Sequence, residues 1–138
     1  MELEAALLSA VCGQDFTFNG KQFLAKIVDY YDGDTVRAVF MFGDQMMQYK
    51  CRMIGYDSPE MKPLKSNPDR LKIKADALTA KKALIDKIGD ELVTIECGEF
   101  DKYGRILVTI ILRSTGENIN QWMLDNQYGV VYNGGAKI

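Results

Sequence analysis

The fold is set by residues 22–54, which read QFLAKIVDYYDGDTVRAVFMFGDQMMQYKCRMI. Apolar and polar side chains alternate over residues 22–29, as they do in a half-buried strand. Residues 35–41 are β-branched and aromatic, and residues 47–54 resume this character after a Phe-Gly-Asp turn signal at 42–44. This segment therefore predicts three strands, of which the last two form a hairpin.

A long helix is predicted after these strands. Pro59, Pro63 and Pro68 first mark a loop over residues 57–69, because proline lacks a backbone donor and restricts the residue before it. Apolar side chains then recur at helical spacing, and Gly89 ends the pattern. The predicted core-facing stripe is Leu71, Ala75, Leu78, Ile85 and Ile88.

The remaining segments predict two strands and two short helices. Residues 91–97 and 105–112 have strand character, and the link between them is short enough for a hairpin. Asn118 and Gln121 have the spacing of a helix N-cap and its capping-box partner. Residues 1–10 can form a short helix.

The resulting order of elements is β-β-β-α-β-β-α. It predicts an α+β fold with an all-β core, a five-stranded OB-fold barrel, which presents a strand face and loops to oligonucleotides. The length of 138 residues is the usual size of one domain. We expect one OB-fold domain over residues 1–138, with residues 1–21 as an N-terminal extension.

Composition restricts the chemistry that this chain can perform. The absence of histidine excludes imidazole bases, Ser-His and Cys-His nucleophile pairs, and zinc or iron held by histidine. The formal charge of −2 excludes tight, sequence-blind binding of nucleic acid by bulk positive charge. Residues 27–60 nevertheless carry three basic and six acidic side chains, whereas residues 61–90 carry eight basic and four acidic ones. An enzyme of this composition must use carboxylates, Arg, Lys, Tyr or a hard metal ion.

The cysteines and the N-terminus indicate a compartment. The chain has three cysteines, Cys12, Cys51 and Cys97, and no two of them form a C-x-x-C motif. This favours free, mostly buried thiols in reducing surroundings. The N-terminus begins with acids where a secretory signal needs positive charge, and no apolar run approaches the roughly 18 residues of a membrane span. We expect an intracellular protein that contacts no membrane, unless a leader has been removed from the chain.

Candidate catalytic groups fall at strand ends. Asp34, in an Asp-Gly-Asp-Thr-Val motif, could offer hard oxygen to a divalent cation, although Asp-Gly is also an ordinary turn pair. Arg52 lies in a mostly apolar strand, where a guanidinium needs an anion, either an internal carboxylate or a substrate phosphate. Asp57 and Glu60 follow around a Ser-Pro pair, in a pattern that also suits a helix cap. Arg105 ends an Asp-Lys-Tyr-Gly-Arg motif. This motif either forms an ordinary turn or places a second guanidinium at the same rim as Arg52.

Together these groups suit metal-assisted hydrolysis of a phosphodiester. A cation would neutralise phosphate charge, a carboxylate would activate or orient water, and the arginines would stabilise the charge that grows on the phosphoryl oxygens. The same motifs also carry a resemblance. The segments VDYYDGDTV at 28–36, RMIGYDSPE at 52–60 and DKYGR at 101–105 resemble the staphylococcal nuclease family, and the likeness extends from about Phe23 to about Tyr132.

The resemblance implies a calcium-dependent nuclease that cleaves single-stranded or frayed DNA and RNA and leaves 3′-phosphates. By position, Asp34 and Asp57 would bind one Ca²⁺ together with the backbone carbonyl of Ser58, which stands where the family usually has threonine. Glu60 would position or deprotonate the attacking water. The other implied roles are phosphate binding by Arg52 and Arg105 and substrate contacts by Tyr103 and Tyr132.

Two other hypotheses stay open. A catalytically silent OB-fold module would bind single-stranded nucleic acid or a protein partner, with its carboxylates and arginines paired internally. A purely structural barrel within an assembly would respond neither to metal nor to nucleic acid.

Overall fold

Five strands form a closed barrel in the computed structural model, which describes residues 2–132. Around the barrel the strands follow the order β1-β2-β3-β6-β5, and β4 and β7 form a separate two-stranded sheet. With its three helices, this is the predicted α+β architecture with an OB-fold barrel. In chain order the elements are α1 (Glu2–Ser9), β1 (Gln22–Tyr30), β2 (Thr35–Phe42), β3 (Gln45–Met53), β4 (Gly55–Asp57), α2 (Arg70–Ile88), β5 (Val93–Phe100), β6 (Ile106–Leu112), α3 (Ile119–Asp125) and β7 (Val130–Tyr132).

The closure of the barrel brings three strand ends together. β2 and β3 form the predicted hairpin, across a turn in which Gly43 has a φ of 63° that favours glycine. β3 then pairs in parallel with β6, which closes the barrel. Because Thr35 pairs with Arg52 and Arg52 pairs with Leu107, the starts of β2 and β6 lie beside the end of β3.

The barrel interior is apolar. Alternate residues of β6 are buried, as the period of a strand requires. Each such aliphatic side chain contributes about 1.5–3 kcal/mol by leaving water. Phe18, in the segment before β1, adds an aromatic layer, since its ring centroid lies 5.6 Å from that of Phe40 and 5.3 Å from that of Tyr49. The buried residues of β6 are Ile106, Val108, Ile110 and Leu112.

The face that α2 turns to the barrel differs from the predicted one. Leu71, Leu78 and Ile85 are exposed, and of the predicted stripe only Ile88 is buried. Packing is close at Ala80, because a Cβ on Gly33 would lie 2.9 Å from the Cβ of Ala80, so only a small side chain fits at this position of the helix. The buried residues of α2 are Ala77, Ala80, Leu84 and Ile88.

The helix α3 is tied to the barrel by a buried amide. Asn118 caps the helix as predicted, because its side chain accepts a hydrogen bond of 3.0 Å from the backbone N–H of Gln121. Asn120 is buried; its Oδ1 accepts from the N–H of Ile110, and its Nδ2 donates to the carbonyls of Ile54 and Val108. These bonds join α3 to β6 and to the residue before β4.

The two-stranded sheet was not among the predicted strands. β4 and β7 have three residues each, which is too few to show the alternation of apolar and polar residues that identifies a strand. Their pairing places Asp57 opposite Val130 and Gly55 opposite Tyr132. The sheet therefore fixes the positions of Asp57 and Tyr132.

The cysteines largely match the expectation of free, buried thiols. All three are free, and Cys51 and Cys97 are buried, whereas Cys12 is exposed. Burial raises the pKa of Cys51 to about 12 and the pKa of Cys97 to about 11, which makes both thiols inert. Over residues 2–132 the structure contains no helix that is long and apolar enough to cross a membrane.

Candidate functional site

A cavity of about 940 Å³ lies at the joined strand ends. Asp34 precedes β2, Arg52 lies near the end of β3, and Arg105 immediately precedes β6. The pairing of these strands explains why side chains so distant in sequence share one cavity. All eight predicted site residues line it: Asp34, Arg52, Asp57, Ser58, Glu60, Tyr103, Arg105 and Tyr132.

Arg52 bridges two carboxylates. Its Nη1 lies 3.1 Å from Oδ2 of Asp34, and its Nη2 lies 3.0 Å from Oδ1 of Asp57. Nη1 also donates to the carbonyl of Met53 at 2.8 Å. The Arg52 side chain is 8% exposed, so these contacts satisfy a charge that would be costly to bury alone. Within the described residues its hydrogen bonds go to Met53 and Asp57 and use two of its five N–H groups, which leaves donors for a further anion.

Asp34 is held in place by three groups besides its own backbone. Oδ1 accepts a hydrogen bond of 3.0 Å from the hydroxyl of Thr35, and Oδ2 accepts one of 2.8 Å from the backbone N–H of Ser58. Oδ2 also contacts Arg52. The carboxylate is buried, and its orientation is therefore fixed before any ligand binds.

Asp32 is a further carboxylate of this cavity, and it was not among the predicted site residues. Its Oδ1 accepts from the backbone N–H groups of Asp34 and Thr35 at 3.0 and 2.8 Å, which forms an Asx turn. Burial, and then the negative charge of Asp34, raise the pKa of Asp32 to about 7. The signal for it was the first acid of the Asp-Gly-Asp motif, which the sequence pattern assigns only to a turn.

Arg105 is oriented by a carboxylate from its own motif. Its Nε donates to Oδ2 of Asp101 at 2.6 Å, and its Nη1 lies 3.5 Å from the hydroxyl of Thr35. Burial alone would raise the pKa of Asp101, but hydrogen bonds from the backbone and side chain of Arg105 and from the backbone of Tyr103 hold that pKa below its usual value. Asp101 therefore positions Arg105 at the cavity, a role that sequence reasoning missed.

The two predicted substrate-binding tyrosines stand beside the two arginines. Tyr103 is 72% exposed, and its ring centroid lies 5.4 Å from Cζ of Arg105. The Tyr132 ring centroid lies 5.5 Å from Cζ of Arg52. Each tyrosine thus offers an aromatic face next to a guanidinium, an arrangement that suits a base attached to a bound phosphate.

The loop that carries Asp34 is packed against α2 and β4. The hydroxyl of Tyr56 donates to the carbonyl of Gly33, and burial raises the pKa of Tyr56 well above its usual value. A Cβ on Gly33 would meet the Cβ atoms of Ala80 and Ser58, each at 2.9 Å. A larger residue at position 33 would therefore displace the loop.

The sequence model for staphylococcal nuclease homologues matches residues 50–137. The chain belongs to the staphylococcal nuclease homologue family. The match includes every predicted site residue except Asp34, which the β2–β3 pairing brings to the others. No curated protein matches the chain. Membership indicates a nuclease or nucleic-acid-binding role.

Staphylococcal nuclease homologues depend in general on calcium, and the donors of this site suit that ion. Asp34, Asp57 and the carbonyl of Ser58 offer hard oxygen, which Ca²⁺ prefers. The guanidinium of Arg52 already places a cation between the two carboxylates. Within residues 2–132, no group of three or more His, Cys, Asp or Glu side chains is arranged to hold a metal ion. Water would therefore have to complete the coordination of an ion.

Glu60 stands where this cavity meets a second one in the staphylococcal nuclease homologue. It is exposed, and it lines both the 940 Å³ cavity and a neighbouring cavity of about 630 Å³ between α2 and β7. Asp57, Ser58 and Tyr132 also border both cavities. The residue predicted to activate water therefore borders both cavities.

Proposed function

We propose that this chain is a calcium-dependent nuclease that hydrolyses single-stranded or frayed DNA and RNA to 3′-phosphate products. The observation that carries the proposal is the convergence on one cavity of two arginines, two carboxylates beside one guanidinium, and the exposed carboxylate of Glu60. Family membership supports the class of reaction.

The arginines are assigned to the phosphate. A tetrahedral phosphoryl group gains negative charge on its oxygens in the transition state, and preorganised donors stabilise that charge. Arg52 and Arg105 retain N–H groups for this purpose, and Asp57 and Asp101 fix their orientation. Burial strengthens these contacts because water competes less for the donors.

Glu60 is assigned to the water. Its exposure lets it reach a solvent molecule, and a carboxylate can act as a general base in a chain without histidine. When bound by Asp34, Asp57 and the carbonyl of Ser58, Ca²⁺ would neutralise part of the phosphate charge. Tyr103 and Tyr132 are assigned to the nucleotide, against which their rings can stack.

A second candidate function has an observation in its favour. In a catalytically silent module, the arginines of the site would pair with its carboxylates. Arg52 and Arg105 both contact carboxylates in this way. Such a protein would bind single-stranded nucleic acid or a protein partner without cleaving anything. Family membership is compatible with this role, since it indicates a nuclease or a nucleic-acid-binding protein.

Hydrolysis of denatured DNA tests the proposal. The wild-type protein is incubated with denatured DNA in Ca²⁺ or in EGTA, beside Glu60→Gln and a matched surface variant, Asp44→Asn, in the turn between β2 and β3. We expect 3′-phosphate products from the wild type and Asp44→Asn in Ca²⁺, and none in EGTA or with Glu60→Gln. Hydrolysis that is unaffected both by EGTA and by the Glu60→Gln substitution would refute the mechanism. Binding of DNA without any hydrolysis would establish the catalytically silent module.

A further inference from the structure

A basic groove adjoins the candidate site. It is a cavity of about 320 Å³ that shares Tyr31 and Thr35 with the 940 Å³ cavity. Met61, the residue after Glu60, lines it as well. The groove therefore begins where the proposed reaction site ends, and a polymer held in one would extend into the other.

Three cations line this groove. Arg37, Lys50 and Lys81 face it together with one acid, Asp29. Within residues 2–132 none of the three cations forms a salt bridge, whereas five other Lys and Arg residues of the structure do so within 3.1 Å. The chain thus concentrates positive charge here although its net charge is negative.

Two of these cations face each other across one strand pair, although Asp29 lies opposite Arg37 on the other neighbouring strand, β1. Arg37 and Lys50 are directly opposite each other on β2 and β3. Like charges in that relation destabilise a sheet. A bound anion between them would relieve the repulsion, which gives the pair an affinity that isolated surface lysines lack.

An aromatic ring completes the groove. Tyr31 is 52% exposed, and Nζ of Lys50 lies 5.7 Å from its ring centroid. A cationic groove that follows a backbone, beside an exposed ring on which a base can stack, is the combination that single-stranded nucleic acid requires. An acidic peptide would use the cations but would have no use for the ring.

We propose that this groove is a second nucleotide-binding subsite, which holds the single strand beyond the bond that is cleaved. Arg37, Lys50 and Lys81 contact a phosphate of the flanking strand, and Tyr31 stacks on its base. The inference rests on the proposed function, because that function supplies the polynucleotide. It adds a determinant of substrate length, since a strand that fills both cavities binds more tightly than one that fills the reaction site alone.

Binding of an oligonucleotide tests the subsite separately from hydrolysis. A fluorescein-labelled 12-residue oligothymidylate is titrated by anisotropy onto Glu60→Gln protein, alone and combined with Arg37→Ala, Lys50→Ala, Tyr31→Phe or Tyr31→Ala. Lys26→Ala, an exposed cation on β1 outside the described cavities, is the matched control. Each groove variant alters an exposed side chain, and thermal unfolding confirms that it folds.

The expected results separate charge from stacking. Arg37→Ala and Lys50→Ala should each weaken binding at least fivefold and lower the slope of log affinity against log salt by about 0.7. Tyr31→Ala should weaken binding at least fivefold, whereas Tyr31→Phe and Lys26→Ala should leave it within twofold of the parent. Affinity that no groove variant changes, or no binding of the oligomer, would overturn the subsite.

Two further outcomes keep this inference distinct from the proposed function. If a 12-residue polyglutamate competes as well as the oligonucleotide and Tyr31→Ala has no effect, the groove binds acidic peptides and the inference is wrong. If the groove variants weaken binding but wild-type protein hydrolyses nothing in Ca²⁺, the subsite stands and the nuclease proposal falls.

Discussion

The guanidinium of Arg52 forms a buried salt bridge with Asp34, in which Nη1 lies 3.1 Å from Oδ2. The two side chains are 8% and 6% exposed. Arg52 also contacts Asp57, so one guanidinium holds both carboxylates that are proposed to bind the ion. The arginine is thus assigned two roles: it keeps two acids together in the absence of metal, and it donates to phosphate when substrate binds.

Replacing Arg52 by alanine should therefore affect stability as well as rate. In chelator, Arg52→Ala leaves two buried or half-buried carboxylates without their cation, which should lower the free energy of unfolding by about 3–5 kcal/mol. Saturating Ca²⁺ should restore part of this loss, because it supplies positive charge to the same oxygens. Urea unfolding with and without Ca²⁺ measures both effects.

The control for this prediction is Arg113→Ala, an exposed arginine that forms no salt bridge among the described residues. Its unfolding free energy should stay within about 0.5 kcal/mol of the wild type. An Arg52→Ala protein as stable as this control in chelator would show that the salt bridges contribute nothing.

The strand pattern of the sequence predicted most of the barrel but not its helical surface. Alternation and turn residues located the five barrel strands, because one face of each strand is buried. They could not find β4 and β7, which have three residues each and are held by pairing. For α2, periodicity selected the large apolar residues, whereas close approach to Gly33 selects alanine, and only tertiary packing reveals that choice.

Motifs at strand ends and the family resemblance named eight side chains, and the structure brings all eight to one cavity. Their contacts were not predictable from the sequence. The partners of those residues were missed because they arise from the fold. Asp32 and Asp101 lie in turns that sequence alone assigns to backbone geometry, yet each carboxylate borders the cavity.

Asp101 should act as a positioning residue for Arg105. Asp101→Asn keeps the turn bonds to backbone N–H groups but weakens the 2.6 Å contact with Nε of Arg105. We expect kcat to fall at least tenfold and KM to change less, because the loosened guanidinium stabilises the transition state poorly. A rise in KM with an equal fall in kcat/KM, and with kcat unchanged, would assign Asp101 to ground-state binding instead.

The same residue predicts a pH dependence of stability. The folded pKa of Asp101 lies below the unfolded value, so its stabilising contribution is complete above the unfolded pKa of about 3.9 and is lost as the pH falls through the folded pKa. The difference in unfolding free energy between wild type and Asp101→Asn should be constant from pH 6 to 8 and shrink below about pH 4. An Asp101→Asn difference that grows on acidification would contradict the sign.

Gly33 should tolerate no side chain. Gly33→Ala places a Cβ 2.9 Å from the Cβ atoms of Ala80 and Ser58, which should cost about 1–3 kcal/mol and shift the loop that carries Asp34. Adding Ala80→Gly should recover part of that cost, so the two changes should be non-additive. Gly98→Ala, where a Cβ would lie 3.4 Å from the nearest atom, is the control, and equal losses in both variants would exclude the clash as the cause.

The assignment of Glu60 to the attacking water is tested by the rate of Glu60→Gln on denatured DNA at saturating Ca²⁺. Wild type and Asp44→Asn are measured beside it, with thermal unfolding of all three proteins. Glu60 is exposed, so its replacement should leave the unfolding midpoint unchanged while kcat falls by about 10²–10⁴-fold. Asp44→Asn should keep the wild-type rate. A Glu60→Gln protein that folds normally and cleaves as fast as the wild type would contradict the assignment of Glu60 to the attacking water.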